Sequence, residues 1–324
     1  MSRVEQKRVS DDEDGIRLDR WFRAHYPELA HGQLQKLLRT GQIRVDGARA
    51  KAGIRLQSGQ SIRVPPMART HRRAIPTKSS KDEAAFIRSL VLYEDADVIA
   101  LNKPAGLAVQ GGTKTHRHID AMLDALAVDP GEQPRLVHRL DKDTSGVLLI
   151  ARSRKAAAEL GKALKTHQAK KIYWALVVGV PRPEQGAIEA PLVKRGQAGG
   201  EKVVVADDGS ADARHAVTRY RVIDTAGREL SWVALWPVTG RTHQLRVHME
   251  AIGHPIVGDG KYGGAAAHPG GEIGRQLQLH ARRIEIILSP RRRLEIEAPL
   301  PPHMAETWRL LGFEGDPGDP FDDL

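Results

Sequence analysis

Apolar residues begin to recur at three- and four-residue spacing near Ile16. Leu18, Trp21, Phe22 and Tyr26 fall on one side of a helix, which Pro27 breaks. Leu34, Leu37 and Leu38 mark a second short helix, with Gln35, Lys36 and Arg39 pointing away from its apolar face. Ile43-Arg44-Val45 then alternates, Asp46-Gly47 supplies a tight turn, and Ser61-Ile62-Arg63-Val64 forms a further strand that ends at Pro65-Pro66. Residues 15–64 therefore read as a small α/β unit. Residues 1–14 mix charges without periodicity and read as a flexible leader. Residues 65–84 carry two prolines, a basic stretch (Arg69, His71, Arg72, Arg73) and a Ser-Ser-Lys run. They offer no apolar face and read as a linker whose cations could touch phosphates.

A larger domain is expected over residues 85–313. Strand-like runs occur at Val98-Ile99-Ala100-Leu101, at Val147-Leu148-Leu149-Ile150, and over residues 172–178, 217–223 and 230–236. Helical segments are interspersed at 119–127, 154–165, 242–252 and 302–311. Such mixing without regular strand–helix alternation predicts an α+β fold with an antiparallel or mixed sheet. Residues 314–324 carry Glu314, Asp316, Asp319, Asp322 and Asp323 among Pro and Gly, the pattern of a disordered acidic tail.

Length and charge sharpen this outline. The 324 residues suit two domains, and a 40% hydrophobic content supports a folded core. The net charge of +10 favours a polyanionic partner. Residues 1–75 hold 16 Lys plus Arg against 8 Asp plus Glu, so most of the surplus lies in under a quarter of the chain. No apolar run reaches membrane-spanning length and no signal-peptide pattern opens the chain, so nucleic acid leads as the partner over a membrane. The absence of cysteine excludes disulfides, cysteine nucleophiles and zinc–cysteine sites, and is compatible with the cytoplasm.

Four stretches concentrate chemistry. In His138-Arg139-Leu140-Asp141-Lys142-Asp143-Thr144-Ser145-Gly146, Asp141 sits between two cations that would keep it ionised, as a nucleophile or base requires. Asp141-x-Asp143-x-Ser145-Gly146 also looks like the start of a calcium loop. That reading fails, because the twelfth position is Arg152 and positions seven to ten are an apolar strand. Gly240-Arg241-Thr242-His243-Gln244-Leu245-Arg246-Val247-His248 opens a helix with Leu245, Met249 and Ile252 on one face and His243, Arg246 and Glu250 on another. Its histidines and His254 are spaced wrongly for a shared metal. Lys170-Lys171-Ile172-Tyr173-Trp174-Ala175-Leu176-Val177 is a strand with Tyr173 and Ala175 on one side and Ile172, Trp174 and Leu176 on the other. Leu101-Asn102-Lys103-Pro104-Ala105-Gly106 is a strand ending in a turn, with Lys103 as a candidate cleft cation and Gln110-Gly111-Gly112 in a flexible loop beyond it.

Taken in order, these stretches resemble the pseudouridine synthases of the ribosomal large-subunit type. Residues 138–146 match the signature H-R-L-D-x-x-T-S-G, and residues 240–248 resemble the element G-R-x-H-Q-L/I-R-x-H, followed by His254-Pro255 and Gly258-Asp259. Residues 102–106 resemble the N-K-P-x-G turn, and Tyr173-Trp174-Ala175 the Y-x-A strand. Residues 16–64 are similar to the small S4 RNA-binding domain. The loop at residues 108–112 looks closest to the synthase C branch, which modifies several separated sites in 23S ribosomal RNA.

The resemblance implies a mixed, mostly antiparallel sheet, no cofactor or metal, and a monomer acting on ribosomal RNA. It implies that Asp141 is the catalytic carboxylate, that Tyr173 contacts the base or sugar, and that Arg246 pairs with Asp141. It further implies that Leu245 packs against the uracil and that Arg139 enters the space left by a flipped nucleotide. His138, Arg241 and Lys103 join the expected RNA contacts in the large domain, and Lys36 and Arg39 those in the small one. Two competing readings are an RNA-binding protein with a retired catalytic domain and a metal-dependent hydrolase suggested by the 14 histidines.

Overall fold

The computed structural model describes residues 4–322 except 27, 28, 30, 67–80, 113, 114, 116, 129–132, 167, 198, 199 and 208. The chain divides into two units, residues 1–77 and 78–324. The basic stretch at 69–73 and the helix-breaking Pro27 lie outside the described residues.

The first unit contains β1 (Glu5–Arg8), α1 (Leu18–His25), α2 (His31–Arg39), β2 (Arg44–Val45), β3 (Ala48–Arg49) and β4 (Ser61–Val64). The strands form an antiparallel sheet in the order β1-β4-β2-β3. The helix periodicity is realised as expected: Leu18, Trp21, Phe22, Leu34 and Leu38 are buried together with Ile43, Leu56 and Ile62.

The leader is not loose. Glu5 pairs with Val64 and Arg8 with Ser61, so β1 completes the edge of β4. All four β1 side chains are exposed, which is why no apolar periodicity announced the strand: its attachment is a backbone property. Farther along the leader, the Glu13 carboxylate accepts from Trp21 Nε1 and Ser10 N and pairs with His25. Burial pushes this carboxyl up, but the hydrogen bonds from His25, Ser10 and Trp21 prevail and hold it down at about 2.

The second unit starts earlier than residue 85, with α3 (Lys81–Ser89). Its first turn carries Asp82 and Glu83, favourable at a helix N-terminus, and it buries Ile87. There follow β5 (Val91–Glu94), β6 (Val98–Lys103), α4 (Ile119–Met122, continued by a 3-10 turn to Leu126), β7 (Arg135–Leu136), β8 (Ser145–Ala151) and α5 (Arg154–Ala163). Next come β9 (Ala169–Val178), β10 (Gln185–Glu189), the hairpin β11 (Leu192–Gln197) and β12 (Gly200–Val205), β13 (Val217–Ala226), β14 (Leu230–Pro237) and α6 (Gln244–Ala251). The unit closes with β15 (Leu279–Ser289), β16 (Arg292–Glu297) and α7 (Pro302–Leu311).

Ten strands form one sheet, with the path β10-β13-β14-β9-β15-β8-β6-β5 and with β16 on β15 and β7 on β8. Among the described strands of this sheet only the β15–β8 pair is parallel, so the fold is α+β with a mixed, mostly antiparallel sheet. The middle is packed on both faces. Leu148 and Ile150 of β8 meet Ile99, Leu101 and Met122 on one side, while Val147 and Leu149 meet Leu160 and Ile286 on the other. Trp174 and Trp232 face Trp308 and Phe313 near α7, and Ala175 and Val177 face Leu245 and Met249 of α6.

The expectation of a disordered tail fails over residues 314–322. Phe321 is buried against Trp236, with ring centroids 5.8 Å apart. Asp319 pairs with Lys170, and Asp316 with Arg282. The acids that suggested solvation are partners for cations on the sheet, and one aromatic anchors them. Phe321→Ala should lower stability by about 3–5 kcal/mol, measured by denaturant unfolding of the full chain. A tail without fixed structure would show no change.

Candidate active site

Asp141 lies in the loop between β7 and β8, and that loop is fixed from below. Lys103, buried at the end of β6, donates from Nζ to the carbonyls of Pro104 (2.9 Å), Leu107 (2.8 Å) and Lys142 (2.9 Å), tying the turn after β6 to the loop of Asp141. Gly106 N also donates to Lys142 O. Lys103 is therefore not a cleft cation: all three of its donors are used on backbone. Burial pushes its ammonium down to about 7, against the pull of Asp143 and Asp141.

Gly146 seats the other end of the loop. It has φ +108°, and a Cβ there would lie 2.2 Å from Ala281 O, so only glycine permits the parallel approach of β8 to β15. Ser145 Oγ and His280 Nδ1 are hydrogen bonded at 2.9 Å alongside.

A pocket of about 290 Å³ opens beside Asp141, at the small end of the range of ~300–1,000 Å³ usual for ligand sites. His138, Arg139, Asp141, Lys171, Tyr173, Arg241, His243, Leu245, Arg246 and Leu279 are among its lining residues. The β7–β8 loop, β9 and α6 thus converge as the motif order suggested. The Asp141 side chain is 19% exposed. The Tyr173 hydroxyl has no hydrogen-bond partner among the described residues. Burial and the Asp141 charge both push it above the ordinary phenol range, so it stays protonated. Leu245 presents an apolar wall. Arg139 is exposed at the pocket edge, and the exposed Arg241 donates from Nε to His215 O. His138 accepts from Leu149 N at 2.8 Å. Burial and the neighbouring Lys171 push its imidazole down to about 3, so it is a neutral acceptor that ties the pocket wall to β8. Lys36 and Arg39 lie in the other unit, exposed on α2.

Arg246 corrects the expected pairing. It shares the pocket with Asp141, yet its guanidinium forks onto Asp259, donating from Nε at 2.7 Å and from Nη2 at 2.6 Å. Asp259 is buried and also accepts from the backbone of Lys261 and Tyr262. Arg246 lies 5.0 Å from the centre of the Tyr262 ring. Among the described residues the group within ion-pair range of Asp141 is His243, with Nε2 3.9 Å from Oδ1. Its Nδ1 lies 2.6 Å from the Tyr262 hydroxyl. With that hydroxyl donating, the ring proton sits on Nε2, the nitrogen facing Asp141. Burial holds the His243 imidazole below its usual range, against the pull of Asp141.

Sequence reading gave no role to His243, Asp259, Tyr262 or Lys171. The signals were slight. His243 adopts φ +54° at the start of α6, rare outside glycine and concentrated at functional positions. Gly258, before Asp259, has φ +82° and would place a Cβ 2.1 Å from Gln276 O. The other histidines that raised a metal are occupied: His248 bonds Thr218 and Ala190 O, and His254 bonds Val178 O.

Residues 97–251 match the RNA pseudouridylate synthase family. The ribosomal large subunit pseudouridine synthase C of Rickettsia typhi is 34% identical over 292 residues, which cover 88% of this chain and 94% of that protein. The chain belongs to the RNA pseudouridylate synthase family. The mitochondrial RNA pseudouridine synthase 4 of Arabidopsis thaliana is also 34% identical, over 90% of this chain and 78% of its own. Among solved structures, human RNA pseudouridylate synthase domain containing 4 superposes with a TM-score of 0.61 at 30% identity, covering 72% of this chain and 98% of that one. As a member of this family the chain is an RNA isomerase.

Within this synthase, Asp259→Asn should leave the Arg246 cation buried without its counter-charge. Stability should fall by about 3–5 kcal/mol, read by denaturant unfolding. A change below about 0.5 kcal/mol would show that the fork contributes little.

Proposed function

We propose that this synthase converts uridines of ribosomal RNA, in the 23S molecule, to pseudouridine, with Asp141 as its catalytic carboxylate and the N-terminal unit as an S4-like RNA-binding domain. The observation that carries the reading is the convergence of an accessible carboxylate, a protonated tyrosine and an apolar wall in one pocket beside a fixed guanidinium. The large-subunit names of the relatives support the ribosomal substrate, and the family resemblance supports a monomer.

The reaction breaks the C1′–N1 bond, turns the detached uracil and joins C1′ to C5. Asp141 can act by attack on C1′ or by removing a neighbouring sugar proton, and the pocket geometry suits either. His243, whose Nε2 lies 3.9 Å from the Asp141 carboxylate, helps aim it. Leu245 gives the uracil a face to pack on while it turns, and Tyr173 offers a donor to the base or sugar. Retaining the free base calls for a small, water-poor pocket. Arg139, exposed at the edge, is placed to fill the stack when the nucleotide swings out, offsetting part of a cost of a few kcal/mol.

In the N-terminal unit, Arg20 and Arg23 border a surface depression with Phe22 and Leu34, and Lys36 and Arg39 add exposed charge on α2. This surface suits sugar–phosphate contacts better than base readout.

Asp141→Asn should fold as the parent does, bind target RNA within about threefold, and lose at least ~10³-fold in single-turnover rate. Pseudouridine mapping in 23S RNA from cells carrying each form reads the same outcome. Retained conversion by the variant would remove Asp141 from the chemistry. Replacing Lys36 and Arg39 together by Gln should weaken RNA binding and lower its logarithmic salt slope by about 1–2, since each phosphate contact contributes ~0.7–0.9. An unchanged slope would move RNA affinity away from α2.

A further inference from the structure

Lys171 lies on β9 two residues before Tyr173, so the pleat turns both side chains to the same face of the sheet. Both line the pocket with Asp141 and Leu245. Tyr173 feels the Asp141 charge, and burial pushes the Lys171 ammonium below its ordinary range. Lys171 is half-buried and makes no hydrogen bond or ion pair among the described residues. Its neighbour His138 is neutral and engaged with Leu149 N, so it offers no counter-charge. The pocket's other buried cation, Arg246, is held by Asp259. A half-buried ammonium without an anion is unfavourable in the resting protein and becomes favourable when negative charge arrives beside it.

We propose that Lys171 stabilises the negative charge on the uracil ring as the glycosidic bond breaks, its ammonium directed at a ring carbonyl oxygen. The inference rests on the pocket being the uridine site. When C1′–N1 breaks, the bonding pair leaves with N1 and spreads over the carbonyls at C2 and C4. C5 then supplies the electron pair of the new C1′–C5 bond, the C5 proton departs, and N1 takes up a proton. The sum is an isomerisation and needs no co-reactant. Lys171 loses no proton in this sequence; it lowers the energy of the ring while the ring carries charge.

The test compares the full-length protein with Lys171→Met, Lys171→Gln and Lys171→Arg in single-turnover reactions. The RNA carries either uridine or 5-fluorouridine at the target. Fluorine withdraws electrons and makes the departing base a weaker base, so it needs less help; because it occupies C5, loss of the original nucleoside is the step read. On uridine the neutral variants should be slower by about 10- to 100-fold, with RNA affinity within about threefold. On 5-fluorouridine that deficit should shrink severalfold, and Lys171→Arg should retain most of the rate. An equal deficit on both substrates, or a rate loss matched by weaker RNA binding, would overturn the proposal. So would a failure of both neutral variants to fold, judged by thermal melting, since the charge would then serve the structure. The parent protein's conversion of uridine checks the underlying function separately: if the parent converts none, the uridine-site reading itself has failed.

Discussion

The bidentate contact between Arg246 and Asp259 organises the candidate site around Asp141. Both groups are nearly removed from water, and neither would be tolerated there alone. The pair fixes α6 against the loop that holds Tyr262, and Tyr262 in turn touches Arg246 through its ring and His243 through its hydroxyl. His243 then faces Asp141. The Asp141 carboxylate is therefore oriented through intermediates by a charge pair of which it is not a member. Such an arrangement leaves Asp141 accessible to a substrate while its surroundings stay rigid.

The same economy governs the floor of the site. Lys103 could have served as a cation for RNA, but its ammonium is consumed by three carbonyls that belong to two loops. Gly146 allows two strands to approach where any side chain would collide with backbone. Both residues fix the loop that carries Asp141.

Much of this was legible in the chain. The helix spacing of Leu18, Trp21 and Phe22, the alternation around Tyr173 and the amphipathic run after Gly240 each produced the expected element, and the motif order led to one pocket. The misreadings share a cause. Composition reports what side chains prefer, whereas β1 is held by its backbone and the acidic tail by cations distant in sequence. The partner of Arg246 was misassigned for a related reason. Asp141 and Asp259 are equally plausible carboxylates on paper, and only the closed loop after Gly258 decides between them. Lys171 escaped notice because a lysine at the start of a strand is ordinarily solvated, and its burial is a tertiary fact.

The anchored C-terminal segment gives β9 two attachments of opposite kind. Lys170 reaches one side of the sheet, where Asp319, Trp236 and Phe321 receive it, and Lys171 reaches the other, into the pocket. Adjacent residues thus couple the segment around Phe321 to the wall of the pocket through a single peptide unit. An insertion or epitope that displaced Asp319 or Phe321 would therefore be felt at that wall, so this segment is a poor place to engineer.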